Sequence, residues 1–312
     1  MHPPFGVRAV AAIFLDGGLL LCNPKTVAAM ATQSILTNTA RMSVTFWGVR
    51  GSIACPGNST SRYGGNTSCV EIKCGEKTLI FDAGTGLRDL GKRFPANGGI
   101  DLDIFLSHCH IDHICGLPFF APCYSRKNRI RLWAGNLLPR FRLAQVIEQM
   151  MATPLFPIRH DIFDAELEFH DFHAGQTLRP SNEVALHTIR LNHPDGATGY
   201  RLEFNNHSVA YITDHESNGG SYDKSLALFA RDVDVLVYDC TYTAEELHSH
   251  VGWGHSSWQQ GVRLAAAANV KKFCLFHHDP DHDDELLDRI AAEVTAQRAG
   301  SLVAREGLIL EI

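Results

Sequence analysis

The sequence has no long unbroken hydrophobic run, no CxxC pair, no strand leading into GxGxxG and no excess of positive charge. Each absence removes a class of protein. A membrane-spanning helix needs about 20 consecutive apolar residues, and the best candidate, Ala9 to Cys22, is shorter and broken by Asp16 and a glycine pair. That run also lacks the clean small-residue cleavage site of a secretory signal. Without CxxC, neither a zinc ribbon nor a thioredoxin-like site is supported. The dinucleotide fold loses its fingerprint, since Asp82-Ala83-Gly84-Thr85-Gly86 is only a partial echo of it. A formal charge of −6 offers no basic field to hold a long polyanion, because nucleic-acid affinity rests on Lys and Arg meeting phosphates. Phosphate chemistry, if present, is local to a site.

What the chain does have is 45% apolar and 20% charged residues, enough to bury a substantial core. Its nine cysteines are odd in number and irregularly spaced, in a chain of 312 residues that needs no disulfide framework. They read as reduced thiols of a cytoplasmic protein. Residues 1–41 differ from the remainder and read as an N-terminal extension, either an early start with Met30 or Met42 as the true beginning, or a targeting or packing segment. Residues 42–312 read as the working domain.

From Met42 onward, short apolar runs are bounded by Gly, Asn and Pro, the pattern of strands and turns. Strands are expected at Ser43–Trp47, Cys69–Cys74, Thr78–Phe81, Ile104–Leu106, Glu183–Leu191, Thr198–Phe204, Ser208–Thr213, Val233–Tyr238, Lys272–Phe276 and Leu302–Leu310. Helical spacing marks Gly86–Phe94 and a stripe of Leu143, Val146, Ile147 and Met150. Two further helices are expected, one capped by Ser256 or Ser257 and running through Ala268, the other from Asp283 to Arg298 before Gly300. Strands dominate both halves. This predicts an α/β protein built as a four-layer αβ/βα sandwich, two sheets face to face with helices outside.

The chemistry concentrates in Leu106-Ser107-His108-Cys109-His110-Ile111-Asp112-His113, where an apolar strand gives way to a loop. Four metal-capable side chains in six residues are too many for a packed core. In extended backbone His108 and His110 point to the same side and reach one ion, while a turn lets Asp112 and His113 face a second. Three further residues sit just past apolar strands: His193 before Pro194, Asp214 after Ala210-Tyr211-Ile212-Thr213, and His277 after Phe273-Cys274-Leu275-Phe276. Alone, each is an ordinary loop residue; together with HxHxDH they point to a shared site.

HxHxDH followed by a later His, a later Asp and a final His resembles the metallo-β-lactamase superfamily. Within it the similarity leans toward the branch of tRNA 3′-processing endonuclease (ribonuclease Z) and the PhnP-type phosphodiesterases. Gly254-His255-Ser256-Ser257 resembles that branch's His-Ser-Thr motif, and Val270 to His277 resembles the strand that delivers its last ligand. The resemblance covers roughly residues 43–312. It implies the αβ/βα fold with two divalent ions at one edge. His108, His110 and His193 would hold one ion, Asp112, His113 and His277 the other, and Asp214 would bridge them. His278 adjoins His277, and the alignment favours His277 as the ligand. Asp82 looks like the family's buried aspartate that orients a ligand imidazole, though a turn or cap aspartate is the plainer reading.

The resemblance also implies a hydrolase in which a hydroxide shared by the ions attacks, with Asp112 and His255 as catalytic groups. His255 would protonate the leaving group, unless it merely caps the following helix. Two dications, two carboxylates, neutral histidines and one hydroxide leave a net charge near +1, which suits an anionic phosphodiester. Nitrogen and oxygen ligands fit Zn²⁺ and do not select sharply against Mn²⁺ or Fe.

Ribonuclease Z-like activity calls for a basic, Gly- and Pro-rich arm, and none is found here. The expected substrate is therefore a small phosphodiester such as a cyclic nucleotide, with no membrane partner and no nucleic-acid polymer. The alternatives are a lactonase or thioesterase on the same scaffold, a tRNA 3′-processing-like ribonuclease, and a noncatalytic metal-binding module. Leu117 to Pro122 reads as a lid or wall beside the metals. Arg126, Lys127, Arg129 and Arg131 read as a charged edge strand, or else as a contact for a second phosphate or another subunit. Relatives of this kind are often homodimers.

Overall fold

The computed structural model describes residues 41–96, 98–217 and 223–312, together with two short strands, Phe14–Leu15 and Gly18–Leu19. The chain divides into two units, Met1–Arg41 and Met42–Ile312. In the first, β1 (Phe14–Leu15) pairs antiparallel with β2 (Gly18–Leu19). The rest of the Ala9 to Cys22 run lies outside the described residues, and so do the targeting and packing readings of it.

The second unit contains two seven-stranded sheets. One holds β3 (Met42–Gly48), β4 (Cys69–Cys74), β5 (Lys77–Phe81), β6 (Asp101–Leu106), β7 (Arg129–Ala134), β8 (Glu166–Asp171) and β16 (Ile309–Glu311), in the order β16-β3-β4-β5-β6-β7-β8. The other holds β9 (Thr177–Leu178), β10 (Ala185–Leu191), β11 (Ala197–Phe204), β12 (His207–Ile212), β13 (Val235–Asp239), β14 (Lys272–Phe276) and β15 (Ser301–Val303), in the order β15 to β9. Helices α1 (Gly86–Gly91), α2 (Ile111–Ile114), α3 (Leu143–Met150), α4 (Lys224–Phe229), α5 (Ala244–Leu247), α6 (Trp258–Ala267) and α7 (Asp284–Gln297) complete the unit.

Alternation along the strands sorts side chains into three apolar layers. Phe46, Phe81 and Phe105 of the first sheet meet Leu202, Tyr211, Val237 and Phe276 of the second. One residue on, Ile80 and Ile104 face outward to Leu87 of α1 and Ile147 of α3. On the opposite side, Ile212, Leu236 and Phe273 face Leu264 of α6 and Leu287 of α7. Each such fully buried side chain contributes about 1.5–3 kcal/mol, so the two sheets are held by their own faces before any site forms. The αβ/βα sandwich expected from the sequence is present.

Strands β5 to β8 run parallel, as do β12 to β15. The carboxyl ends of parallel strands are where chains leave a sheet and where ligand sites gather. Here those ends deliver Asp82 (after β5), Ser107 and His108 (after β6), Asp214 (after β12), Asp239 (closing β13) and His277 (after β14).

Two expectations need correction. Leu302–Leu310 is not one strand: β15 pairs with β14 in the second sheet, while β16 crosses to pair with β3 in the first. The turn at Gly307, with φ +78, separates them. The basic segment contains an internal strand, since β7 lies between β6 and β8. Its arginines are used within the sheet: Arg129 pairs with Glu168, and Arg131 with Asp101 and Asp103. A second-phosphate role for them loses its free charge.

Candidate metal centre

The HxHxDH segment folds as its spacing demands. Ser107 leaves β6, His110 is still extended as the N-cap of α2, and the single turn of α2 swings Asp112 and His113 to the other side. His108, His110 and His193 bring one ring nitrogen each within 4.8 Å of one another, and a carboxylate oxygen of Asp112 lies equally close to ring nitrogens of His113 and His277. Asp214 lies between the two trios. Its Oδ1 is 3.8 Å from Nε2 of His108, 3.8 Å from Nε2 of His193 and 3.4 Å from Nε2 of His277, while its Oδ2 is 3.4 Å from Nε2 of His113.

Hydrogen bonds to the outer nitrogens of four of these rings turn their inner nitrogens toward one another. His193 Nδ1 donates to the carbonyl of Gly254 at 2.8 Å, and His113 Nδ1 to Asp82 Oδ2 at 2.9 Å. The Ser107 hydroxyl donates to Asp82, so its oxygen is free to accept from His108 Nδ1 at 3.1 Å. The Thr241 hydroxyl donates to Asp239 Oδ1 and can accept from His277 Nδ1 at 3.1 Å. Fixing each outer nitrogen as a donor points a lone pair inward. The inner nitrogens then lie close together: His110 Nδ1 is 3.1 Å from His193 Nε2, and His113 Nε2 is 3.3 Å from His277 Nε2. His108 Nε2 is buried with no hydrogen-bond partner. An orphaned buried nitrogen is costly, and a cation held among these atoms would satisfy it. The donor set, five imidazoles and two carboxylates, fits a divalent metal.

Electrostatics agree with the geometry. Burial, followed by the neighbouring charges, holds the His108 imidazolium well below its usual range, and burial likewise lowers His110 and His193, so all three are neutral donors. For Asp112 burial works upward, but His113 and His277 outweigh it and hold the carboxyl below the usual range. Asp214 behaves the same way. Burial also opposes charge on His113, yet Asp112, Asp214 and Asp82 outweigh it and raise the ring well above its ordinary value. Three carboxylates around one imidazole mark a point that attracts positive charge.

The walls of the site are tied across the sandwich. Tyr211 of the second sheet donates to Asp82 Oδ2 at 2.7 Å, and Tyr200 donates to the Leu106 carbonyl at 2.6 Å. The Ser52 backbone N–H donates to Asp112 Oδ2 at 2.8 Å. Asp82, Asp214 and His277 all hold positive φ, at 61°, 56° and 62°. Such backbone costs roughly 1–3 kcal/mol for a non-glycine residue and persists where the surroundings enforce it.

His255 lies beside the cluster, its Nδ1 2.8 Å from Asp239 Oδ2. The pKa of His255 departs from the ordinary imidazole value. Burial does push it down, but Asp239 outweighs burial and raises it to about 9. The helix cap is Ser257, whose side chain accepts from Gln260, so His255 is not the cap. His278 faces away, its Nε2 2.8 Å from the Ala304 carbonyl and its ring edge-on to Tyr63. Leu117 to Pro122 forms two 3-10 turns, and Pro118 and Phe119 line a groove beside the cluster. Asp239 and Thr241 are site groups that the sequence reading passes over. Asp239 carries the same signal that marks Asp214, an aspartate ending an apolar strand.

Residues 77–278 match the β-lactamase superfamily domain. Ribonuclease BN of Cronobacter sakazakii is 25% identical over 279 residues, spanning 75% of this chain and 89% of its own. Ribonuclease Z of Picrophilus torridus is 26% identical over 304 residues, spanning 85% of this chain and 94% of its own. Among solved structures, the metallo-β-lactamase fold protein YhfI from Bacillus subtilis superposes with a TM-score of 0.64 at 20% identity, covering 88% of this chain and all of YhfI. A diphosphatase of the PhnP family superposes with a TM-score of 0.63 at 20% identity, covering 87% of this chain and 97% of that one. With the sandwich, the strand-end ligand cluster and the domain match in agreement, the chain belongs to the metallo-β-lactamase superfamily and is a metal-dependent hydrolase.

Proposed function

We propose that the protein is a dinuclear phosphodiesterase acting on a small phosphodiester. His108, His110 and His193 would hold one ion, Asp112, His113 and His277 the other, and Asp214 would stand between them. The observation that carries this reading is the position of Asp214, within 3.8 Å of ligand atoms from both trios. Held by these residues, two divalent ions would supply polarisation of phosphoryl oxygens and a nucleophilic water near neutral pH. Zn²⁺ suits the donor set, and Mn²⁺ or Fe is served by the same atoms.

The chain's own residues perform the remaining tasks. Asp82, Thr241 and the Gly254 carbonyl orient the ligand rings. Asp112 is steered by the Ser52 N–H, which fixes the oxygen it turns toward the site. His255 carries a proton beside the cluster and is the donor for the departing alcohol oxygen, while Asp239 fixes its tautomer and direction. Free thiols at all eight described cysteines accord with a reducing, cytoplasmic setting, and among the described residues no helix is long and apolar enough to cross a membrane.

The test is a parallel assay of bis(4-nitrophenyl) phosphate and an acyl lactone with Zn²⁺, with Mn²⁺ and after chelation. Metal-dependent cleavage of the phosphodiester alone supports the reading, and preference for the lactone overturns it. A second reading, hydrolysis of RNA, is favoured by the names of the ribonuclease Z and BN relatives. It requires binding to a tRNA precursor that weakens steeply as salt rises.

A further inference from the structure

The surface at His108–His110 opens into a cleft of about 220 Å³, walled also by Asn136, Phe141 and Pro194. Cys109, Val146 and Gln149 line both this cleft and an adjoining groove of about 510 Å³. His108 and His110 line the cleft, and the cleft shares these three residues with the groove, so the groove adjoins the candidate ligands. Its walls are hydrocarbon apart from Gln149, two thiols and the Met150 thioether, and Ile111, Phe119 and Leu155 present more than half of their surface to solvent. Phe119 is held edge-on to Phe156 with ring centroids 6.0 Å apart.

Charge decides between occupants. A polyanion gains affinity from a cation at each phosphate it contacts, and no Lys or Arg lines either cavity. A sugar or peptide needs several polar partners, and the larger groove offers one amide. An aromatic or alkyl group needs only apolar walls of matching size, and those are present.

We propose that this groove binds an uncharged, apolar ester group of the substrate, which is then a phosphodiester carrying one aromatic or alkyl substituent. The inference rests on the phosphodiesterase reading. In the reaction, water oxygen bonds to phosphorus, one ester P–O bond breaks, and the proton from water ends on the departing oxygen. The apolar group in the groove is the ester that stays on phosphorus.

The experiment compares kcat/KM of the full metal-loaded chain for 1-naphthyl 4-nitrophenyl phosphate and methyl 4-nitrophenyl phosphate, which share a leaving group. The naphthyl ester is expected to be at least about tenfold better, the scale on which an apolar pocket discriminates by size. Phe119→Ser and, separately, Leu155→Asp are expected to bring that ratio toward one, with folding checked by thermal melting. Both positions are exposed, so at least one variant is expected to fold. Hydrolysis of both esters at equal kcat/KM overturns the groove while leaving the phosphodiesterase reading intact. Hydrolysis of neither ester overturns that reading and the groove with it. A ratio unchanged in both variants, or variants that alter only the mass in sedimentation, gives the surface to a second copy and also overturns the proposal.

Discussion

His193 and His255 are coupled through a single peptide group: His193 Nδ1 donates to the carbonyl of Gly254, the residue directly before His255. A candidate ligand and the candidate proton donor therefore share one stretch of backbone. Glu216 fastens that stretch by accepting from the N–H groups of Gly252 and Gly254 at 2.8 Å each.

This coupling separates two substitutions one residue apart. His255→Ala removes only the proton donor, and turnover is expected to fall by about 10²–10⁴-fold with bound metal near the wild-type level. Gly254→Ala adds a Cβ 2.2 Å from His193 Nδ1 at a backbone with φ +88, so it is expected to lower metal content as well as turnover. Elemental analysis beside kinetics distinguishes them, and metal loss in His255→Ala contradicts its assignment.

His108→Ala deletes the buried nitrogen that has no protein partner. Bound metal is expected to fall from two ions toward one per chain. Unchanged metal content by mass spectrometry contradicts the two-trio arrangement.

Asp82→Asn keeps the shape and tolerates positive φ, but replaces the carboxylate that orients His113. Loss of such a partner costs about 10–100-fold in metal affinity. Competition against a chelator measures it, and unaltered affinity reduces Asp82 to a bond with Tyr211 and Ser107 alone.

Away from the site, Asp103 is fully buried and accepts from Arg131, Trp133 and Lys77. Burial alone would raise its pKa, but Arg131 and then Lys77 outweigh burial and lower it. A carboxyl with a depressed folded value stabilises the fold above its unfolded pKa of about 3.9, and that contribution is lost as pH falls through the folded value. Asp103→Asn is therefore expected to destabilise by about 3 kcal/mol near neutral pH, as breaking a buried ion pair does. The gap from wild type is expected to close only below about pH 4. Denaturant titrations across pH read this out; a gap that closes between pH 7 and 5 contradicts it.

The sandwich is legible in the sequence because its strands are short apolar runs bounded by turn residues, and HxHxDH is legible because its residues are neighbours. His193, Asp214 and His277 are found by one local rule, a metal-capable residue where an apolar run stops. The choice between His277 and His278 is not local. It follows from the positive φ at His277, which breaks the alternation of β14 and turns His278 toward Ala304. The place of β7 inside its sheet, and the crossing from β15 to β16, depend on partners distant in the chain. Alternation reports which face is buried but not which strand lies alongside.

The left-handed backbone at 82, 214 and 277 has a consequence for any attempt to engineer the protein. Glycine relaxes all three positions, so a screen that rewards heat resistance alone would accept His277→Gly or Asp214→Gly. Each such gain would remove a side chain that faces the candidate ions. Variants made sturdier at these positions would lack groups that the candidate ions need, and selection for one property would erode the other.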